Sequence, residues 1–133
     1  MARKSLFLAV FFFISMLSTQ SIAKSCYEKA LTQEDLDACV YTDLRREEMK
    51  LQTVYDQLLE KVSSRGEKAL LVAQETWQAY RDAQCAFNTL GSTGGTIHPF
   101  SIASCKLHLT ELQIKILREE LTCEEGVVTC GGQ

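Results

Sequence analysis

The segment QETWQAYRDAQCAF, residues 74–87, holds the one tryptophan of the chain, Trp77, together with Tyr80, Arg81, Asp82 and Cys85. An Arg beside an Asp, next to aromatics and a thiol, can be a cluster that binds or reacts. It can equally be a packing spine. On a helix, Trp77 and Tyr80 lie three apart and Trp77 and Arg81 four apart, so these three share one side; Asp82 points elsewhere. Aromatic stripes at helical spacing are usually core. Composition therefore places Trp77 and Tyr80 inside, with Arg81 laid over them and paired to an acid of the preceding helix such as Asp43 or Glu47. The other use, Arg81 and Asp82 as an exposed partner-binding pair, stays open.

Other constellations able to do chemistry are thin. His98 stands in a loop before Pro99, and His108 lies off the strongest apolar line of its helix; neither sits beside a nucleophile. No Gly-x-Ser-x-Gly elbow, phosphate loop or His-Glu-x-x-His occurs, so catalysis is not expected. Glu47, Glu48, Glu119, Glu120, Glu124 and Glu125 read as solvated helix faces. The six cysteines, Cys26, Cys39, Cys85, Cys105, Cys123 and Cys130, include no Cys-x-x-Cys pair, and neither histidine stands at ligand spacing to one. No metal and no cofactor is expected.

An even cysteine count in a small exported chain reads as a disulfide framework, and the N-terminus has the layout of an export signal. Arg3 and Lys4 precede a nearly unbroken apolar run over residues 6–17, and Ser21-Ile22-Ala23 supplies the small residues of a cleavage site. The run, about 12 residues, is shorter than the roughly 20 of a membrane span. Residues 1–23 are thus expected to be a signal peptide, with no membrane anchor after cleavage. Losing Arg3 and Lys4 leaves 12 basic residues against 17 acidic ones, moving the formal charge from −3 to −5. There is no basic patch for nucleic acid. A modest acidic excess favours basic partners.

The elements that must position these residues are helical. Thr32 with Asp35 three residues on resembles a capping box. Leu36, Val40, Leu44, Leu51, Tyr55, Leu58 and Val62 then recur at helical spacing, interrupted around Glu47-Glu48, which predicts a first helix over residues 33–62. Ser63-Ser64-Arg65-Gly66 reads as a turn with Gly66 as the stop. A second helix is expected over residues 67–89, its apolar line Leu70, Ala73, Trp77, Tyr80 and Phe87. Gly91, Gly94, Gly95 and Pro99 make residues 91–100 a loop. Ser101 can cap a third helix reaching residue 121, with Ile102, Cys105, Leu109, Leu112 and Ile116 on its face, widened by Leu117 and Leu121. The expected fold is all-α: an antiparallel helical hairpin or bundle of about three main helices, stapled by disulfides. Residues 24–121 form the domain and residues 122–133 a cysteine-containing tail.

Helix geometry also bears on pairing. Cys85 and Cys105 lie about equally far from the loop joining their helices, so at roughly 1.5 Å rise per residue they sit at similar depth. They can pin the hairpin. Cys123 and Cys130 are close enough to close the tail, which leaves Cys26 with Cys39.

Taken together, CYEKALTQEDLDAC, VYDQLL, AQETWQAYRDAQCAF and ASCKLHLTELQIKIL resemble the LprI-like lysozyme-inhibitor family of small exported bacterial domains. The sharpest part is Trp77-x-x-Tyr80-Arg81-Asp82-Ala83-x-Cys85, followed by Cys105 and Thr110. Gln113 stands where the family often carries Arg. The resemblance implies an exported, periplasmic or secreted inhibitor of lysozyme-type peptidoglycan hydrolases, with a protein partner. Lysozyme works with two cleft carboxylates, and a stiff loop with hydroxyl or imidazole donors can occlude them without covalent chemistry. Ser92, Thr93, Thr96 and His98 are the candidate contacts. The alternatives are that the loop is only a helix connector, or that the chain is a periplasmic protein-binding module, an immunity or envelope-stress protein, without lysozyme inhibition.

Overall fold

The computed structural model describes residues 25–124 together with Val127 and Cys130. The expected signal peptide and most of the tail lie outside the described residues. Four α-helices follow in order: α1, Cys26–Lys29; α2, Gln33–Leu59; α3, Ser64–Asn88; and α4, His98–Leu121, with a 3₁₀ turn at Leu90–Ser92 before α4. Among the described residues there is no strand, and the fold is an all-α, disulfide-stapled bundle.

Local chemistry sets most helix ends. Thr32 Oγ1 accepts the Asp35 amide at 3.1 Å, while Asp35 Oδ2 accepts the Leu31 and Thr32 amides, each at 3.0 Å, so α2 opens with a capping box. Those backbone donors, with the Thr32 hydroxyl, hold the Asp35 carboxyl below the usual carboxylate range. Ser25 caps α1 in the same reciprocal way with Glu28. Three expected boundaries move, the first being the end of α2, which stops at Leu59 and not at residue 62. Ser63 caps α3 by accepting the Gly66 amide, so Gly66 is a buried first-turn residue and not a helix stop. Likewise α4 starts at His98, with Pro99 in its first turn where a missing N–H costs nothing, and Ser101 lies inside the helix.

Helices α2 and α4 run in the same direction and pack most extensively; α3 returns antiparallel and leans mainly on α4. Two apolar clusters result. One joins Leu51, Val54 and Leu58 of α2 to Ile114 and Leu117 of α4, with Leu70, Trp77 and Tyr55 packed against it. The other joins Val40 and Leu44 to Ala103, beside Phe100 and Leu107. Each fully buried aliphatic side chain contributes about 1.5–3 kcal/mol. Between the clusters lies a polar layer that includes Glu48, which accounts for the break in the α2 apolar pattern.

The buried faces of α3 and α4 differ from the expected ones. Helix α3 turns Gly66, Gln74, Cys85 and, in part, Leu70, Trp77 and Arg81 inward, leaving Tyr80 53 % and Phe87 69 % exposed. Tyr80 is therefore not core. On α4, Ala103, Thr110, Gln113, Ile114 and Leu117 are buried, while Leu112 and Ile116 are exposed. The disulfide at Cys85 and the ion pairs of Arg81 fix the rotation of α3, and these outweigh a simple count of apolar side chains.

Candidate functional site: the loop after α3 and the junction beneath it

Three disulfides frame the molecule. Cys26 bonds Cys39, tying α1 to α2; Cys85 bonds Cys105, tying α3 to α4; and Cys123 bonds Cys130 after α4. The first two lie toward one end of the bundle, where the α3–α4 loop meets the start of α2. Tyr27 reinforces the α1 strap by donating to Asp43 Oδ2 at 2.7 Å. Burial, then that bond and the Asp43 charge, push the Tyr27 hydroxyl up to about 12, and the same bond helps hold the Asp43 carboxyl low.

The loop is built on hydrogen bonds of its own. Thr89 is buried and donates its hydroxyl to Cys85 O at 2.7 Å, closing α3. Ser92 Oγ donates to Thr89 O at 2.8 Å and lies 2.8 Å from His98 Nδ1. A serine hydroxyl has one proton; given to Thr89 O, it leaves Oγ to accept from His98 Nδ1–H. Gly94, at φ +80°, takes the left-handed conformation that a side chain would strain. Thr93 and Thr96 are exposed. Thr96 borders a shallow depression with Thr32, Gln33, Glu34 and Asp37 at the start of α2, so the loop's neighbours at this end are acidic.

Beneath the loop, Arg81 gathers three helices. Its Nη1 donates to Glu48 Oε1 of α2 at 3.0 Å and to Thr110 Oγ1 of α4 at 3.2 Å, and its Nε donates to Asp82 Oδ1 at 3.2 Å. The guanidinium stands 5.2 Å from the centroid of the Trp77 ring, a cation–π distance. Thr110 is fully buried, and a buried hydroxyl left unpaired costs about 1–3 kcal/mol. Asp82 extends the junction to α4 through Lys106 Nζ at 3.1 Å. Burial raises the Asp82 carboxyl, but Lys106 and Arg81 outweigh it and hold it below the ordinary range.

The chain matches the family described as lysozyme inhibitor LprI over residues 24–117, a span that contains the loop, the junction and two of the disulfides. The chain belongs to the LprI lysozyme-inhibitor family. It is also similar, at 26 % identity over 74 % of its length and 80 % of the relative's, to an uncharacterized protein of Rhizobium meliloti (strain 1021). No solved structure gives a significant match.

Within this LprI domain the structure brings Ser92 and His98 together and leaves Thr93 and Thr96 on the surface. The acid facing Arg81 is Glu48, one residue from the expected Glu47, which instead pairs with Arg46 and Lys50. Glu34 and Asp37 escaped sequence reasoning as neighbours of the loop. The up-down-up order of three long helices was the available signal, because it returns the α3–α4 loop to the start of α2. Among the described residues there is no cluster able to hold a metal ion, and every described cysteine is in a disulfide. No described helix is long and apolar enough to cross a membrane.

Proposed function

We propose that the protein is exported through a signal peptide at residues 1–23, and inhibits lysozyme-type peptidoglycan hydrolases by placing its α3–α4 loop in the active-site cleft. It does no chemistry of its own. The observation that carries this reading is the construction of the loop. It is cross-braced by Ser92 and His98 and clamped below by the Cys85–Cys105 bond, so little ordering is left to oppose binding. Thr93 and Thr96 offer hydroxyl donors to cleft carboxylates. Glu34 and Asp37 beside the loop, together with the acidic balance of the chain, complement a basic lysozyme and speed encounter.

The test is cell-wall lysis by chicken-type, goose-type and invertebrate-type lysozymes in the presence of the oxidised protein. At least one class should be slowed at micromolar excess. Thr93→Ala with Thr96→Ala should weaken that inhibition about tenfold or more, with an unchanged thermal midpoint, since both side chains are exposed. Lysis unaffected in every class would remove the reading and favour a binding module for another envelope protein. Inhibition that survives the double substitution would move the interface to a helix face.

A further inference from the structure

Two residues of the α3 motif face water instead of the core: Tyr80, 53 % exposed, and Ala83. They belong to a longer series. Ala73, Thr76, Tyr80, Ala83, Phe87 and Leu90 follow one another at alternating steps of three and four residues, the a and d spacing that lines up along one side of a helix. All six are exposed, Phe87 at 69 % and Leu90, just past the helix end, at 64 %. Val72, at 61 %, widens the line together with Ala79 and Ala86. A solvated helix face ordinarily carries charges. This one carries none: between residues 69 and 90 the charged side chains are Glu75, Arg81 and Asp82, and no seam position is among them.

The geometry points to a second copy of this chain as the occupant of that face, with the two α3 helices antiparallel and related by a twofold axis. The order of sizes along the seam carries the inference. Laid against itself in reverse, the series sets Leu90 against Ala73, Phe87 against Thr76 and Tyr80 against Ala83, so each large side chain meets a small one. The twofold axis repeats every pair, turning three pairs into six layers. Layers of large against small interdigitate without voids. A face that is its own complement is what an isologous interface requires.

Area and charge agree with that occupant. The exposed parts of Val72, Tyr80, Phe87 and Leu90 amount to roughly 450 Å² per copy, a large apolar patch for a monomer to leave in water. Two copies, with the smaller seam residues included, remove on the order of 1,200 Å² from water, the lower bound of a specific interface. The chain is acidic, so two copies repel except where they meet through a face without acids. A basic lysozyme calls for acidic side chains, which stand at the start of α2 instead, and an anionic lipid surface calls for Lys or Arg. The seam offers neither.

The experiment is sedimentation equilibrium of the oxidised protein across a concentration series. The weight-average mass should climb from one chain toward two, passing halfway by about 100 µM, as suits a reversible interface of this size. Ala83→Glu with Phe87→Glu places carboxylates in the seam, where burial disfavours charge. Both positions are exposed, so the variant should fold as the parent does and stay a monomer throughout. The size order has its own test. Thr76→Phe sets two phenylalanines against each other and should weaken the dimer about tenfold, and adding Phe87→Thr exchanges the large and small sides and should restore it. A parent that keeps the mass of one chain, or association that survives in the folded Ala83→Glu, Phe87→Glu variant, would overturn the seam. So would mass gained only on adding lysozyme or anionic vesicles, which would give the face to those partners. Lysis inhibition by the monomeric variant should match the parent's, because the seam ends where the α3–α4 loop begins.

Discussion

Arg81 and Asp82, adjacent in sequence and bonded to each other through Arg81 Nε and Asp82 Oδ1, reach different partners beyond that bond. Arg81 is inward, shared among Glu48, Thr110 and the Trp77 face. Asp82 is outward, held by Lys106. The Asp82 and Asp43 carboxyls are stronger acids folded than unfolded, so the native state binds fewer protons than the unfolded chain. The stability they supply is complete above the ordinary carboxylate value of about 3.9 and is lost as pH falls through the lower folded values. Urea midpoints measured from pH 6 down to pH 2 should therefore fall across the acid limb. Asp82→Asn should flatten that limb and lower the midpoint near neutrality by a modest amount, because the side chain is half in water. A limb as steep as the parent's would show that Asp82 carries no linkage.

Helix α3 has two apolar-looking sides, and only one faces the core. Trp77 packs on the Leu51, Val54, Leu58, Ile114 and Leu117 cluster, whereas Tyr80, three residues on, is mostly in water. Trp77→Ala should cost about 3 kcal/mol and Tyr80→Ala about 0.5 kcal/mol or less, a contrast readable in paired urea unfolding curves. Equal losses would mean that α3 is rotated from the orientation described. The expectation that both aromatics build the core rested on their shared spacing; Trp77 and Tyr80 do share a side, but the buried arc is centred on Gln74, Arg81 and Cys85 and reaches Trp77 without reaching Tyr80.

Across the whole molecule, the two disulfides that tie helix to helix lie toward the end that carries the loop. The third, Cys123–Cys130, follows α4, and Gln74 and Gln113 are among the residues that line a groove between α3 and α4. Replacing Cys85 and Cys105 together by Ser should lower stability by about 3 kcal/mol, from the loop entropy of a 20-residue separation. Inhibition, if it resides in the loop, should weaken at temperatures where circular dichroism still shows the variant fully helical. Inhibition that follows only the folded fraction would mean that the disulfide supports the fold and nothing at the loop.

What the sequence determined by itself was local. Thr32 and Asp35 cap a helix wherever they stand in this order, the run from Leu36 to Leu58 repeats at helical spacing, and Cys85 and Cys105 sit at matching depth on either side of a glycine-rich connector. These features depend on neighbours within a few residues, or on distances along a helix axis. Tertiary structure decided which arc of α3 and α4 is buried, that Glu48 and not Glu47 meets Arg81, and that Gln74 and Gln113 share a groove. Those outcomes depend on how one helix is rotated against another. A disulfide and a three-way guanidinium junction set that rotation with more energy than one exposed tyrosine or phenylalanine can oppose, and periodicity in a single chain carries no record of it.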